Sequence, residues 1–433
     1  MKLPIINMPM PTIKLLVISL SITSITLTAK SEEPRQLTIR SQKITSGPMN
    51  HFFGYIGHVQ NVPWNGDGRY IIALRSSFQN RMPGPNDPAD IVLIDTQKEY
   101  SIRKIDQTTA WNPQQGTMLY WNPKSPKTQF FFNDRDTKTG RVFCVLFDIA
   151  KGENGKRLKE YRYQNTPIGN SGVAQKGGHF LGINYARMAR LRPVTGYKGT
   201  PDWTTGQKHP KDDGIFKVNT EDGSKSLLIS FNDLAIILKE IYKNEIPSLF
   251  INHTLWNRED DRIFFFARGG WNGTKNEKKI NQAFVMNSDG SKLKSLSKHI
   301  GGHPEWGYDG KIIGRIGKDQ VIFDTNSQRV IGSIGTPSIF SDPEGDIALS
   351  PDGKWFVNGY KNKKKRKNYY VIYNLKNGSH VKSNGFDIGK WTSGDLRQDP
   401  SPCWNRDSNK IIVPGLSDNG KSRQLFILNI ESN

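Results

Sequence analysis

The chain has 433 residues, with 61 Lys and Arg against 40 Asp and Glu, for a formal net charge of +21. Its two cysteines exclude a cysteine-rich metal motif and a scaffold built on many disulfides. A hydrophobic share of 35% with 41 glycines is thin for one thick core and suits many short strands joined by tight turns.

At the start of the chain, Lys2 and Lys14 precede the apolar run Leu15-Leu-Val-Ile-Ser-Leu-Ser-Ile, and Ala29 stands at a small-residue cleavage position. The pattern predicts a signal peptide over residues 1–30 and a single domain over 31–433, exported to the periplasm or the extracellular space. The run is too short, and too often broken by Ser and Thr, to predict a stable membrane span. Beyond it, four stretches repeat one pattern: His58 to Trp64-Asn-Gly-Asp-Gly68, His253-Thr-Leu-Trp256-Asn, His303-Pro-Glu-Trp306-Gly and Ser401-Pro-Cys-Trp404-Asn. Each continues through an Asn/Asp/Gly turn into an apolar strand. A polar residue, an aromatic anchor, a turn and a strand predict the opening of a β-propeller blade. The anchors Trp64, Trp121, Ala174, Trp256, Trp306, Leu349 and Trp404 predict seven blades, and hence an all-β seven-bladed propeller. The long interval between Ala174 and Trp256 contains Phe231 to Tyr242, apolar at helical spacing behind Asn232 or Asp233 as a cap, which predicts a short helical insertion. Cys144 and Cys403 read as two buried small hydrophobes rather than a disulfide. The basic run Lys361 to Lys367 reads as a solvated hairpin tip.

In a propeller, residues at one phase of successive inner strands converge on one axis. Three before the anchors stand Asn61, Met118, Ser171, His253, His303, Asp346 and Ser401; six before the first two stand His58 and Gln115. Matched histidines predict a site, because imidazoles gathered without function are costly to bury. A second constellation, Tyr185-Ala-Arg187-Met-Ala-Arg190, reads as an irregular loop that places a phenol beside guanidiniums able to grip carboxylates or sulfates. The positive charge suits an acidic polysaccharide in an exported setting, and no nucleic-acid-binding motif is visible.

The blade sequences, above all Gln115-Gly-Thr-Met-Leu-Tyr-Trp121-Asn-Pro and the histidines ahead of Trp256 and Trp306, resemble the seven-bladed propeller polysaccharide lyases. The style is closest to the oligogalacturonate lyases, with the propeller ulvan lyases as cousins. The resemblance implies β-elimination on a uronate-containing polysaccharide or oligosaccharide, and the chain is expected to be a monomer. It also implies a divalent metal ion (manganese, calcium or zinc) held by His253, His303 and Gln398, although Ser401 stands where a further histidine is expected. In the ulvan lyase style, a His/Tyr pair works with Arg. On these grounds His58 or His253 is the expected base and Tyr185 the acid. Gln60, Asn61, Gln115, Arg187, Arg190 and His303 are the expected substrate binders. Two rival readings stand beside this one: a non-catalytic propeller that binds glycan or protein in the cell envelope, and a glycoside hydrolase using carboxylates among Glu305, Asp346 and Asp399.

Overall fold

A computed structural model describes residues 37–52, 61–271, 277–343 and 345–432. The predicted leader lies outside them, as do His58 and Gln60. Among the described residues, no helix is long and apolar enough to cross a membrane.

Seven antiparallel four-stranded units follow one another along the chain. Blade 1 starts at Asn50–Phe52, blade 2 at Tyr120–Trp121, blade 3 at Gly169–Val173 and blade 4 at Leu249–Trp256. Blades 5 and 6 start at Gly301–Trp306 and Asp346–Leu349, joined by one parallel bridge between His303 and Asp346. Blade 7 starts at Cys403–Trp404, and its outermost strand is Leu37–Lys43 from the beginning of the domain. That strand pairs antiparallel with Ser422–Ser432 from Leu37–Ser432 through Lys43–Phe426, closing the ring.

The repeated Trp-Asn pair explains why the blades recur. In blades 2, 4, 5, 6 and 7 the inner strand ends at its anchor, and four anchor indoles donate to a carbonyl of a neighbouring blade. These bonds are Trp121 to Pro63 at 2.8 Å, Trp256 to Gly172 at 3.1 Å, Trp306 to Leu255 at 3.0 Å and Trp404 to Ala348 at 3.0 Å. One side chain therefore fills the gap between blades and satisfies a carbonyl at the same time. The following Asn holds the turn: Asn257 Oδ1 accepts from the backbone N–H groups of Asp261 and Arg262, and Asn405 Oδ1 from those of Asn409 and Lys410.

Two helices interrupt the strands. The first, α1 (Tyr185–Leu191), is capped by Asn184, whose side chain accepts from the Arg187 N–H. The predicted irregular loop is therefore a helix. The second, α2 (Phe231–Tyr242), is the predicted insertion. Its cap is Ser230 rather than Asn232 or Asp233, and Asp233 closes a reciprocal capping box from inside the helix. Phe231, Leu234, Ala235 and Leu238 bury its apolar stripe in the core. Cys144 and Cys403 are free and buried.

Candidate functional site

The inner strands run from one face of the ring, here called the entry face, toward the anchors on the other. The phase three before the anchor is where these strands bend. In blades 3, 4 and 5 the register slips between Asn170 and Gly172, Asn252 and Leu255, and Gly301 and Glu305. Met118 and His253 adopt φ of 57°, and Ser401 42°. A non-glycine residue in this left-handed region costs of order 1 kcal/mol or more and clusters at functional sites. The bulges re-aim side chains that a regular strand would bury between sheets. They also draw neighbouring strands close: a Cβ on Gly172 would stand 2.6 Å from the Thr254 carbonyl oxygen.

Four residues at this phase, from blades 4 to 7, form a continuous chain. The rings of His253 and His303 lie nearly parallel, 6° apart with centroids at 5.4 Å. His303 Nδ1 bonds Asp346 Oδ1. The other oxygen of Asp346 accepts from the Ser401 N–H at 2.7 Å and from its hydroxyl at 3.2 Å. Burial works against charge on His303, but the adjacent carboxylate prevails and raises its pKa above the ordinary histidine value. Burial likewise opposes charge on Asp346, and the imidazolium together with the Ser401 N–H holds its pKa below the usual range. Both shifts favour an internal ion pair in which His303 Nδ1–H faces the carboxylate.

Cations surround this chain. Arg268 stands over Phe266, which also meets the His253 ring edge-on at 5.8 Å. Burial, and then the like charge of Arg192, lowers the Arg268 pKa to about 9. Burial and then Arg397 lower that of Arg192. Both guanidiniums lie over the ring of Trp271, at 5.4 and 5.3 Å. Among the described residues, Arg268 pairs with no carboxylate, while Asp395 acts on Arg192 through space. A cavity of about 300 Å³ opens beside His303 and Asp346, walled by Lys361, Arg397 and Asp399. Lys361 and Arg397 share Asp399 at 2.9 Å each, two cations on one anion. Guanidiniums that repel one another in a partly dry setting favour an anionic ligand.

The structure brings together only part of the expected site. His253 and His303 meet as expected, and Gln398 is buried close by, with neither amide atom bonded among the described residues. Tyr185 is 1% exposed, stacks on Tyr197 at 4.3 Å and donates to the Asn170 carbonyl at 3.0 Å. It is a packing residue under α1, not an acid facing the cavity. Arg187 is fully buried and donates to Leu249 O, Thr204 Oγ1, Gln207 O and Lys208 O. It pins a loop instead of gripping substrate. Arg190 pairs with Asp202 at 2.8 Å. Asn61 lines a different cavity, with Arg258 and Arg406 at the anchor end of the ring. Gln115 is buried, and its neighbour Gln114 lines a polar cavity near Gln398. Glu305 is buried, with Oε1 accepting from the Leu349 N–H at 2.8 Å, so it flanks no open space as a hydrolase carboxylate must.

The cations that the motifs missed carried a signal of their own. Arg75, Arg135, Arg268, Arg315 and Lys361 each fall at or near the end of the second strand of their blade, where it returns to the entry face. A basic residue recurring at that phase is readable from the sequence once strands are aligned. Arg192, two residues beyond Arg190, is the C-cap of α1, so helix geometry turns it away from its neighbours.

The resemblance implies a metal, and the donors can be tested for one. Among the described residues, no group of three or more His, Cys, Asp or Glu is placed to hold a metal ion. His303 Nδ1 and both Asp346 oxygens are committed to each other and to Ser401. Burial raises the Cys403 thiol far above its ordinary pKa, which keeps it protonated and a poor ligand. Asp346 and Cys403 are therefore poor candidates to hold a divalent ion, and the donors the resemblance would use remain His253, His303 and Gln398.

No protein-family model and no curated protein matches this chain. Among solved structures, it is similar to an oligogalacturonate lyase in complex with manganese, with a TM-score of 0.60 and 14% identity over 92% of this chain and 98% of that one. It is also similar to an oligogalacturonate lyase from Vibrio parahaemolyticus, with a TM-score of 0.57 and 13% identity over the same shares. At this identity the likeness shows a shared propeller fold.

Proposed function

We propose that the chain is an exported lyase that cleaves uronate-containing oligosaccharides by β-elimination at the entry face. The observation that carries this reading is the His253–His303–Asp346 chain set among clustered guanidiniums, of which Arg268 has no carboxylate partner among the described residues. The shared fold with two oligogalacturonate lyases supports it.

The reaction breaks the C5–H and C4–O bonds of a uronate and forms a C4–C5 double bond. The C5 proton is weakly acidic until the adjacent carboxylate is neutralised. In this reading Arg192, Arg268 and Arg397 bind that carboxylate and stabilise the charge that develops on it. His253 takes the C5 proton. His303, kept protonated by Asp346, gives a proton to the departing O4. A divalent ion, if bound, would be held by His253, His303 and Gln398 and would help neutralise the uronate carboxylate. The predicted leader would deliver the enzyme to a compartment where such glycans occur.

The test is ultraviolet absorbance of the unsaturated product when oligogalacturonate, ulvan or a glycosaminoglycan is supplied. A rise that disappears in His253→Ala supports the reading. Saturable binding with no rise on any of these polymers would favour the envelope-binding alternative.

A further inference from the structure

On the far side of the Arg397–Ser401 segment from His303 lies a second, smaller cavity of about 30 Å³, walled by His51, Gln114, Gln398 and Arg423. Arg397 and Asp399 line both cavities, so one segment of chain separates them. His51 belongs to the first strand of blade 1 and is 2% exposed.

The surrounding hydrogen bonds fix its tautomer. The Gln424 amide nitrogen donates to the Met49 carbonyl and to Ser422 Oγ, both at 2.8 Å. Gln424 Oε1 must therefore be the acceptor on the other side, where it takes the Thr45 hydroxyl at 2.6 Å. The same oxygen lies 2.9 Å from His51 Nδ1, which accordingly carries the proton. The lone pair is left on Nε2, and this atom is buried with no partner among the described residues. Gln398 Oε1 and Nε2 and Gln114 Oε1 are likewise buried and unbonded there. Burial lowers the His51 pKa, in keeping with a neutral ring. A buried acceptor without a donor costs about 1–3 kcal/mol, so such a cluster calls for something to fill it.

We infer that His51 is a substrate-binding residue whose Nε2 accepts a hydrogen bond from a hydroxyl of a second sugar unit, with Gln398 and Gln114 completing that subsite. The inference rests on the lyase reading, which supplies the sugar. It extends the binding surface across the Arg397–Ser401 wall, from blades 5 and 6 to blades 7 and 1.

The experiment is nitrogen-15 NMR of histidine-labelled protein titrated with trigalacturonate, with monogalacturonate as the single-unit control. Expected is an unprotonated Nε2 and a protonated Nδ1 for His51 across neutral pH, and a shift of the Nε2 resonance on adding the trimer but not the monomer. His51→Phe should weaken trimer binding about three- to tenfold and leave monomer binding unchanged, whereas His51→Gln, which keeps an acceptor, should restore part of the loss. A protonated Nε2 would overturn the inference. So would an Nε2 signal unmoved while the His253 and His303 signals respond; in that case the cavity holds only a buried water and the lyase reading survives. If no histidine responds to either sugar, the lyase reading fails and the subsite falls with it.

Discussion

Replacing Asp346 with Asn probes the ion pair at the centre of the site with almost no change of shape. The carboxylate serves two partners, His303 Nδ1 on one oxygen and the Ser401 N–H and hydroxyl on the other. The Ser401 N–H can only donate, so the Asn carbonyl must face it and the amide NH₂ must face His303. His303 Nδ1 then becomes an acceptor, the ring is neutral with its proton on Nε2, and the raised pKa falls. Losing a charge-assisted bond at a buried site costs about 1.5–3 kcal/mol of stability. Losing the proton donor costs about 10²- to 10⁴-fold in turnover. The pH dependence gives an independent check. His303 has a raised folded pKa, so its contribution to stability is complete below its unfolded value of about 6.5 and disappears as pH rises through the folded value. Asp346 has a depressed folded pKa, so its contribution is complete above about 3.9 and disappears as pH falls through the folded value. Urea unfolding of the parent protein should therefore show greatest benefit from the pair between these limits, and Asp346→Asn should flatten both slopes. The assay is unfolding free energy against pH, beside product absorbance. A variant with unchanged slopes, or with full turnover, would refute the assignment of His303 as an imidazolium held by Asp346.

Further expectations follow from the same geometry. Arg268→Met or Arg192→Met should raise KM about tenfold or more and reduce its salt dependence, while Tm holds or rises because like charges are separated; a lowered Tm with unchanged KM would make them structural. Arg187→Met should do the reverse, costing about 2–4 kcal/mol in denaturant unfolding by orphaning the carbonyl and hydroxyl acceptors around it, with KM nearly unchanged in the folded fraction. Trp306→Phe should cost about 1–3 kcal/mol, through the lost indole bond to Leu255 and the space left between blades 4 and 5, as read from Tm. Removing Leu37–Lys43 should strip the outer strand from blade 7 and expose its former partner strand, around Leu428 and Ile430, to hydrogen exchange.

The fold was legible because its repeat is chemical. Each Trp-Asn pair combines an aromatic wedge with a turn-holding carboxamide, and both functions depend on residue type, so the anchors stand out along the chain. Ala174 and Leu349 carry the same phase without the aromatic and were found only by spacing. The axial phase was legible for the same reason, and His253, His303, Asp346 and Ser401 do meet. The Tyr185–Arg190 stretch misled because charge and aromaticity in a sequence do not tell which way a side chain turns. Once Asn184 caps a helix there, Tyr185 and Arg187 fall on its buried face and Arg190 on the rim. The uncompensated cation was hidden for a different reason. Arg268 matters because no carboxylate pairs with it among the described residues, and the absence of a partner in space leaves no mark in the local sequence. His51 escaped notice because its significance lies in a hydrogen bond to Gln424, at the opposite end of the domain.

The most direct measurement is the initial rate of ultraviolet absorbance gain on oligogalacturonate, compared among the parent protein, His253→Ala and the double variant Arg192→Met/Arg268→Met. The account predicts a steady gain for the parent, near loss of the rate in His253→Ala at saturating substrate, and a defect in the double variant that higher substrate partly overcomes. Equal rates in all three proteins would contradict a catalytic mouth built from these residues, and a flat trace for the parent on every uronate polymer would contradict the lyase itself.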